Sequence, residues 1–202
     1  MRDTNENIKL YSQQFENRDI LIGQTIKEID FYLEETNMDF TEQPNEYGKS
    51  LLNGIDIRTD SAIYSIGNRY TDSGYGLTID TGETSSLEFF EDSKIQVSYD
   101  TRIVGEVIKS IEIYWMNIPF EGAIGLYPQE IEIQTDNGFL LISSIEVNNG
   151  KVSTEFTNEI LIVDNKETAK QLGLGQFGLF DKDRKKFKNL NELIETEIKN
   201  GL

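Results

Sequence analysis

The stretch LIGQTIKEIDFYL at 21–33 returns, altered, as IVGEVIKSIEIYW at 103–115. Five of the thirteen positions are identical: Gly23/Gly105, Ile26/Ile108, Lys27/Lys109, Ile29/Ile111 and Tyr32/Tyr114. A second pair of blocks follows in the same order, IDIRTD at 55–60 and IEIQTD at 131–136. A fainter third pair is SLEF at 86–89 and STEF at 153–156. Three matches in one order point to an internal duplication of roughly 70–80 residues. The alternative is a chance likeness between ordinary strand sequences.

Apolar residues alternate through these blocks. Ile26, Ile29, Phe31 and Leu33 mostly fall on one side of the first, with Glu28, Asp30 and Tyr32 on the other. Val107, Ile111, Ile113 and Trp115 alternate with Ser110, Glu112 and Tyr114 in the second. Period two is the mark of half-buried antiparallel strands. Further strands are expected at 54–58, 61–67, 75–80, 86–91, 94–99, 130–135, 139–147, 151–156 and 159–163. Asn53-Gly54, Asp136-Asn137-Gly138 and Asn149-Gly150 suit hairpin turns at positive φ. The blocks are further apart in the first copy: Gly23 to Ile55 spans 32 residues and Gly105 to Ile131 spans 26. The extra length falls around TNMDFTEQPNEYGKS and reads as an exposed loop, with MNIPFEGAIGLYPQ (116–129) as its counterpart.

Helix is scarce. Asp164-Asn165-Lys166-Glu167 resembles a capping box before a short helix that ends ahead of Gly173. Asn189 and Glu192 repeat the signature, followed by Leu190, Leu193, Ile194 and Ile198 at helical spacing. Ile8, Tyr11 and Phe15 fit one short N-terminal helix, and LGLGQFGLF (172–180) fits a cover for a sheet edge. The expected architecture is mainly β: an antiparallel meander or sandwich of two pseudo-repeated halves, closed by a C-terminal amphipathic helix. Residues 1–202 read as one unit, with halves at 21–100 and 103–164 and a helical tail at 165–202.

The chain has 202 residues, 36 acidic and 19 basic, for a net charge of −17. Such a body repels nucleic acid and anionic membranes and attracts cationic partners by steering that salt weakens. The cluster Lys182, Arg184, Lys185, Lys186 and Lys188 is the basic exception, read as a complement to the protein's own acids. Histidine and cysteine are both absent. That removes the commonest general base and zinc ligand, together with all disulfide and thiolate chemistry. A reducing cytosol suits this composition. MRDTNENIKLYSQQ has no apolar core of a signal peptide, and no run of residues is apolar enough for a membrane span.

Other chemistry finds little support. With 36 acids a pair of carboxylates somewhere is inevitable, so glycosidase-like spacing carries no information. Asp181-Lys182-Asp183 begins like a calcium loop, but Arg184-Lys185-Lys186 stands where more oxygen ligands belong. Gly173-Leu174-Gly175 lacks the third glycine of a dinucleotide fingerprint. No cofactor or metal is expected. The acidic groups Glu34, Glu35, Asp39, Glu42 and Glu46, and Asp80, Glu83, Glu88, Glu91 and Asp92, either dock on Lys and Arg of a partner or simply keep the surface solvated. Tyr32 and Tyr114, equivalent outward positions, join the first group as candidate contacts. Trp115 shares the inward register of Ile111 and Ile113 and reads as core. Tyr64, Tyr70, Tyr75 and Tyr127 leave open a carbohydrate-binding or adhesin-like module.

The run IEIYW (111–115) with YPQEIEI (127–133), in a small acidic chain of this kind, resembles the immunity proteins that bacteria encode beside polymorphic or contact-dependent toxins. The resemblance covers the body of the chain loosely and carries over no functional residue. It implies a stoichiometric inhibitor, not an enzyme, that covers a basic toxin domain such as a nuclease.

Overall fold

The computed structural model describes residues 4–34, 49–51, 54–71, 74–84, 94–98, 101–120, 123–148, 151–153, 160–178 and 184–199. Helix α1 (Thr4–Leu21) leads into β1 (Ile26–Glu34), β2 (Lys49–Leu51), β3 (Gly54–Thr59), β4 (Ile63–Thr71), β5 (Gly74–Thr81) and β6 (Lys94–Ser98). Then come β7 (Ser110–Phe120), β8 (Ala123–Gln134), β9 (Phe139–Ser143), the small hairpin β10 (Glu146–Asn148) and β11 (Lys151–Ser153), and β12 (Ile160–Val163). Helix α2 (Lys166–Leu172), a 3₁₀ turn (Gly175–Phe177), β13 (Arg184–Lys186) and α3 (Leu190–Lys199) complete it.

The protein is mainly β, with two larger antiparallel sheets. One runs β5-β4-β3-β1-β6, the other β13-β7-β8-β9-β12-β2. Without β2, and read from its other end, the second sheet is the first again: β12-β9-β8-β7-β13. The register repeats as well. Ile29 faces Ile57 and Phe31 faces Ile55; Ile111 faces Ile133 and Ile113 faces Ile131. Ile55 faces Ile66, and Ile131 faces Ile142. Two of the three sequence matches therefore describe one structural repeat. The third does not: β5 and β12 are equivalent, yet 86–89 follows β5 while 153–156 precedes β12. Apart from Ser153, that pair lies outside the described residues, as does the expected strand 86–91.

The halves meet where the first match begins. Thr25 and Val107, equivalent positions, form an antiparallel bridge. Gly23 N–H donates to the Ile108 carbonyl (2.8 Å) and Gly105 N–H to that of Ile26 (2.7 Å). Ile26 N–H donates to the Glu106 carbonyl (3.0 Å) and Ile108 N–H to that of Gln24 (2.9 Å). Each bond is the other's counterpart, as a local two-fold axis requires. Gly23 (φ 91) and Gly105 (φ 86) occupy left-handed backbone that other residues adopt only at a cost. Lys27 pairs with Asp60 (2.8 Å) and its copy Lys109 with Asp136 (3.1 Å). The following turns match too: Thr59 N–H bonds to the Ala62 carbonyl, and Thr135 N–H to that of Gly138. Gly138 of the Asp136-Asn137-Gly138 turn does not use positive φ; a Cβ there would collide with Ile103 Cγ2.

The inward faces of both sheets bury one core, including Ile29, Phe31, Ile57, Ile66, Ile79, Ile113, Trp115, Ile131 and Ile142. Tyr11 and Phe15 of α1, and Phe187 and Leu193 beside and within α3, pack on it. α1 is longer than the expected short helix. α2 begins where the capping box was read, with Asn165 accepting from Thr168 N–H, and ends at Gly173 in αL conformation. Leu174, from the apolar 172–180 run, covers the outer face of the second sheet with Leu172 and Ala169, not an edge.

Three boundaries differ from the sequence reading. Residues 116–129 are mostly strand, because β7 and β8 form one long hairpin around 121–122. Pro128 sits next to a register shift opposite Tyr114 and Trp115, where a strand tolerates a residue without N–H. β2, from the first half, completes the second sheet. β13, from the expected helical tail, borders β7.

Candidate functional site

On each outer sheet face a buried carboxylate lies beneath a covering segment. In the first half Asp56, on β3, accepts from Tyr32 Oη (2.8 Å), from Thr84 N–H (2.8 Å) and from Thr84 Oγ1 (2.5 Å). Burial raises its pKa against the pull of these hydrogen bonds. Arg58, two residues on, donates to Asp30 (3.0 Å) and Glu83 (3.1 Å). These acids hold the Arg58 guanidinium above its ordinary pKa.

In the second half the equivalent acid is Glu132. It accepts from Tyr114 Oη (3.1 Å), Gln176 N–H (3.0 Å), Gln176 Nε2 (3.0 Å) and Gln134 Nε2. Burial and the charge of Glu132 hold the Tyr114 hydroxyl far above its ordinary range. Two residues earlier on β8, Glu130 accepts from Gly175 N–H (2.7 Å) and from Arg184 Nη2 (2.7 Å). Arg184 also donates to the Gly175 carbonyl (3.0 Å), and its guanidinium lies 5.6 Å from the Tyr114 ring centre. Burial pushes the Glu130 carboxyl up to about 7, although Arg184 pulls it down. Gly175 is needed here twice over: its φ is 56, and a Cβ would lie 2.5 Å from Glu132 Oε2.

These networks locate the sequence candidates. Tyr32 and Tyr114 are brought to equivalent places, but at 4% and 3% exposure they are buried and bonded to the chain's own carboxylates. They are corrected from contact residues to internal ones. Alternation points them outward correctly; it does not see the segments that cross back over the outer faces. Glu34 ends β1, and Glu35, Asp39, Glu42 and Glu46 lie outside the described residues. Asp80 is engaged by Gln13 (2.8 Å) and Thr78 (2.7 Å). Trp115 is core, as expected, and Tyr64 and Tyr127 are buried with it. Two members of the basic cluster pair with the chain's own acids, Arg184 with Glu130 and Lys186 with Glu112 (3.3 Å), while Lys182 lies outside the described residues. Asp56, Glu130 and Glu132 were missed as singular residues. Their signal was the acid repeated within IDIRTD and IEIQTD.

The net charge is unevenly placed. The described residues hold 21 acidic and 17 basic side chains, −4; the other segments hold 15 and 2, −13. Segments 35–48, 72–73, 85–93, 121–122, 154–159 and 179–183 link described elements of the two halves. Together they contain 13 acidic residues and one basic residue, Lys182. Among the described residues no group of His, Cys, Asp and Glu is placed to hold a metal, and no helix is long and apolar enough to cross a membrane. No family model, curated protein or solved structure matches the chain.

Proposed function

We propose that this protein is a binding protein that blocks a cationic polypeptide, as an immunity protein blocks its toxin domain. The observation that carries the reading is the charge division: 13 acids against one base on the six segments that link described elements, while the described residues are near balance. Several of the body's acids pair with its own cations, as in Arg58 with Asp30 and Glu83, and Arg184 with Glu130. Glu34, Glu35, Asp39, Glu42 and Glu46 are the leading contacts, offering charge-assisted hydrogen bonds to Lys and Arg. Long-range attraction would speed encounter and orient the partner before close contact.

The test starts from genes adjacent to this one that encode a secreted protein with a basic C-terminal domain. Co-expression of that domain with this protein should restore growth, and the purified pair should form a one-to-one complex. Its association rate should fall steeply with salt. Reversal of Glu35, Asp39, Glu42 and Glu46 to Lys should slow association about tenfold or more. Growth arrest unrelieved by this protein, with no complex at low salt, would sink the proposal.

A further inference from the structure

The outer edges of β5 and β12 occupy equivalent places, yet a helix closes one and a strand the other. Ile66 pairs with Ile79 in the first sheet, and Ile142 with Ile162 in the second. Beyond β12 lies β2, whose Lys49 pairs with Ile162 and whose Leu51 pairs with Ile160. Beyond β5 lies α1. There Ile79 N–H donates to Gln14 Oε1 (2.6 Å), and Asn17 Nδ2 donates to the Ile79 carbonyl (2.6 Å). Two side-chain amides thus supply the acceptor and the donor that one residue of an added strand would supply.

The helix satisfies this seat incompletely. Gln14 Nε2 is buried without a hydrogen-bond partner. So is Nε1 of Trp115, the ring against which Tyr11 packs edge-on (5.3 Å) and Phe15 stacks (6.0 Å). Buried donors left unmade oppose the arrangement that buries them.

We propose that the outer edge of β5 is a strand-acceptor site covered by α1, and that its occupant is an extended segment of a partner polypeptide with apolar residues at alternate positions. The second half supplies the template, since the equivalent edge already carries a strand. Strand addition obtains affinity from the main chain and selectivity from every second side chain. Leu77 and Ile79 give β5 an apolar inner face, so the added strand needs apolar residues on that side. At rest α1 prevents the indiscriminate pairing that an open edge invites. This inference does not depend on the cationic-partner reading, and either can fail alone.

The experiment uses the full chain and a synthetic peptide of residues 47–53 carrying Lys49→Val, YGVSLLN, which keeps the strand found at the equivalent edge and gives it apolar residues at alternate positions. By amide hydrogen exchange, Ile79 should exchange about tenfold or more faster than the amides linking β3 to β4, because only α1 protects it. Millimolar peptide should slow Ile79 exchange. It should also make Trp115, the chain's single tryptophan, more open to acrylamide as Tyr11 and Phe15 leave its ring. A scrambled peptide should do neither. Gln14→Ala combined with Asn17→Ala should strengthen peptide binding severalfold. Should that variant not fold, the wild-type comparison still decides. Exchange of Ile79 only at the rate of global unfolding, or peptide binding that leaves Trp115 shielded, would overturn the proposal.

Discussion

The two halves share strand order, register, junction glycines and a tyrosine–carboxylate pair, and they differ in what lies on top. Asp56 in the first half is covered through Thr84, three residues past β5, and the local cation is Arg58, from the same strand. Glu132 in the second is covered through Gln176, beyond an entire helix, and the cation beside it is Arg184, from another strand. The sheets are the repeated part and the covers are the individual part. A duplicated carboxylate on an outer face works as a fastening point whose fastener is free to change, provided that it brings N–H groups.

The largest expected effect removes a cation from one half and then the other. Arg184→Ala leaves Glu130 buried without its counter-charge and should cost about 3–5 kcal/mol in denaturant unfolding. Arg58→Ala should cost less, because Arg58 is about a quarter exposed and water can replace part of what it provides. Equal losses would mean that the covers are energetically alike. The glycine copies give the next test. Gly23→Ala and Gly105→Ala each meet no atom within 4 Å, so the loss is backbone strain alone, about 1–2 kcal/mol, and should be equal.

Tyr32→Phe and Tyr114→Phe each delete one hydroxyl bonded to a buried carboxylate, and about 1.5–3 kcal/mol is expected for either. The pH response separates the halves further. Burial raises the folded-state pKa of Glu130 to about 7 from an ordinary 4.5. Its contribution to stability is therefore full below about 4.5 and is lost as pH rises through 7. The loss is at most about 1.4 kcal/mol per pH unit across that window. Glu130→Gln should flatten this slope. The smallest effect is at the surface: Lys27→Ala and Lys109→Ala remove exposed ion pairs and should leave the unfolding midpoint within error.

The repeat was readable because both copies must bury the same stripe and close the same junction. Alternation from Ile29 to Tyr32 and from Ile111 to Trp115 assigned faces correctly, and the caps at Asn165 and Asn189 located two helices. Sequence failed where a residue's surroundings come from far along the chain. Nothing near Lys49 tells that it pairs with Ile162, and nothing near Tyr114 tells that Gln176 and Arg184 roof it over. The long hairpin was hidden by Pro128, which reads as a break and is absorbed at a register shift.

The repeat also sets a difficulty during folding. A strand written twice can mate with its proper neighbour or with that neighbour's copy: β1 matches β8 in pattern nearly as well as it matches β3. Such competing pairings roughen an energy landscape and invite exchange of halves between molecules. The elements that break the repeat, α1 at one edge and β2 at the other, give each sheet an identity that its interior lacks. Had evolution made the copies more alike, the chain would have gained symmetry and lost its means of telling left hand from right.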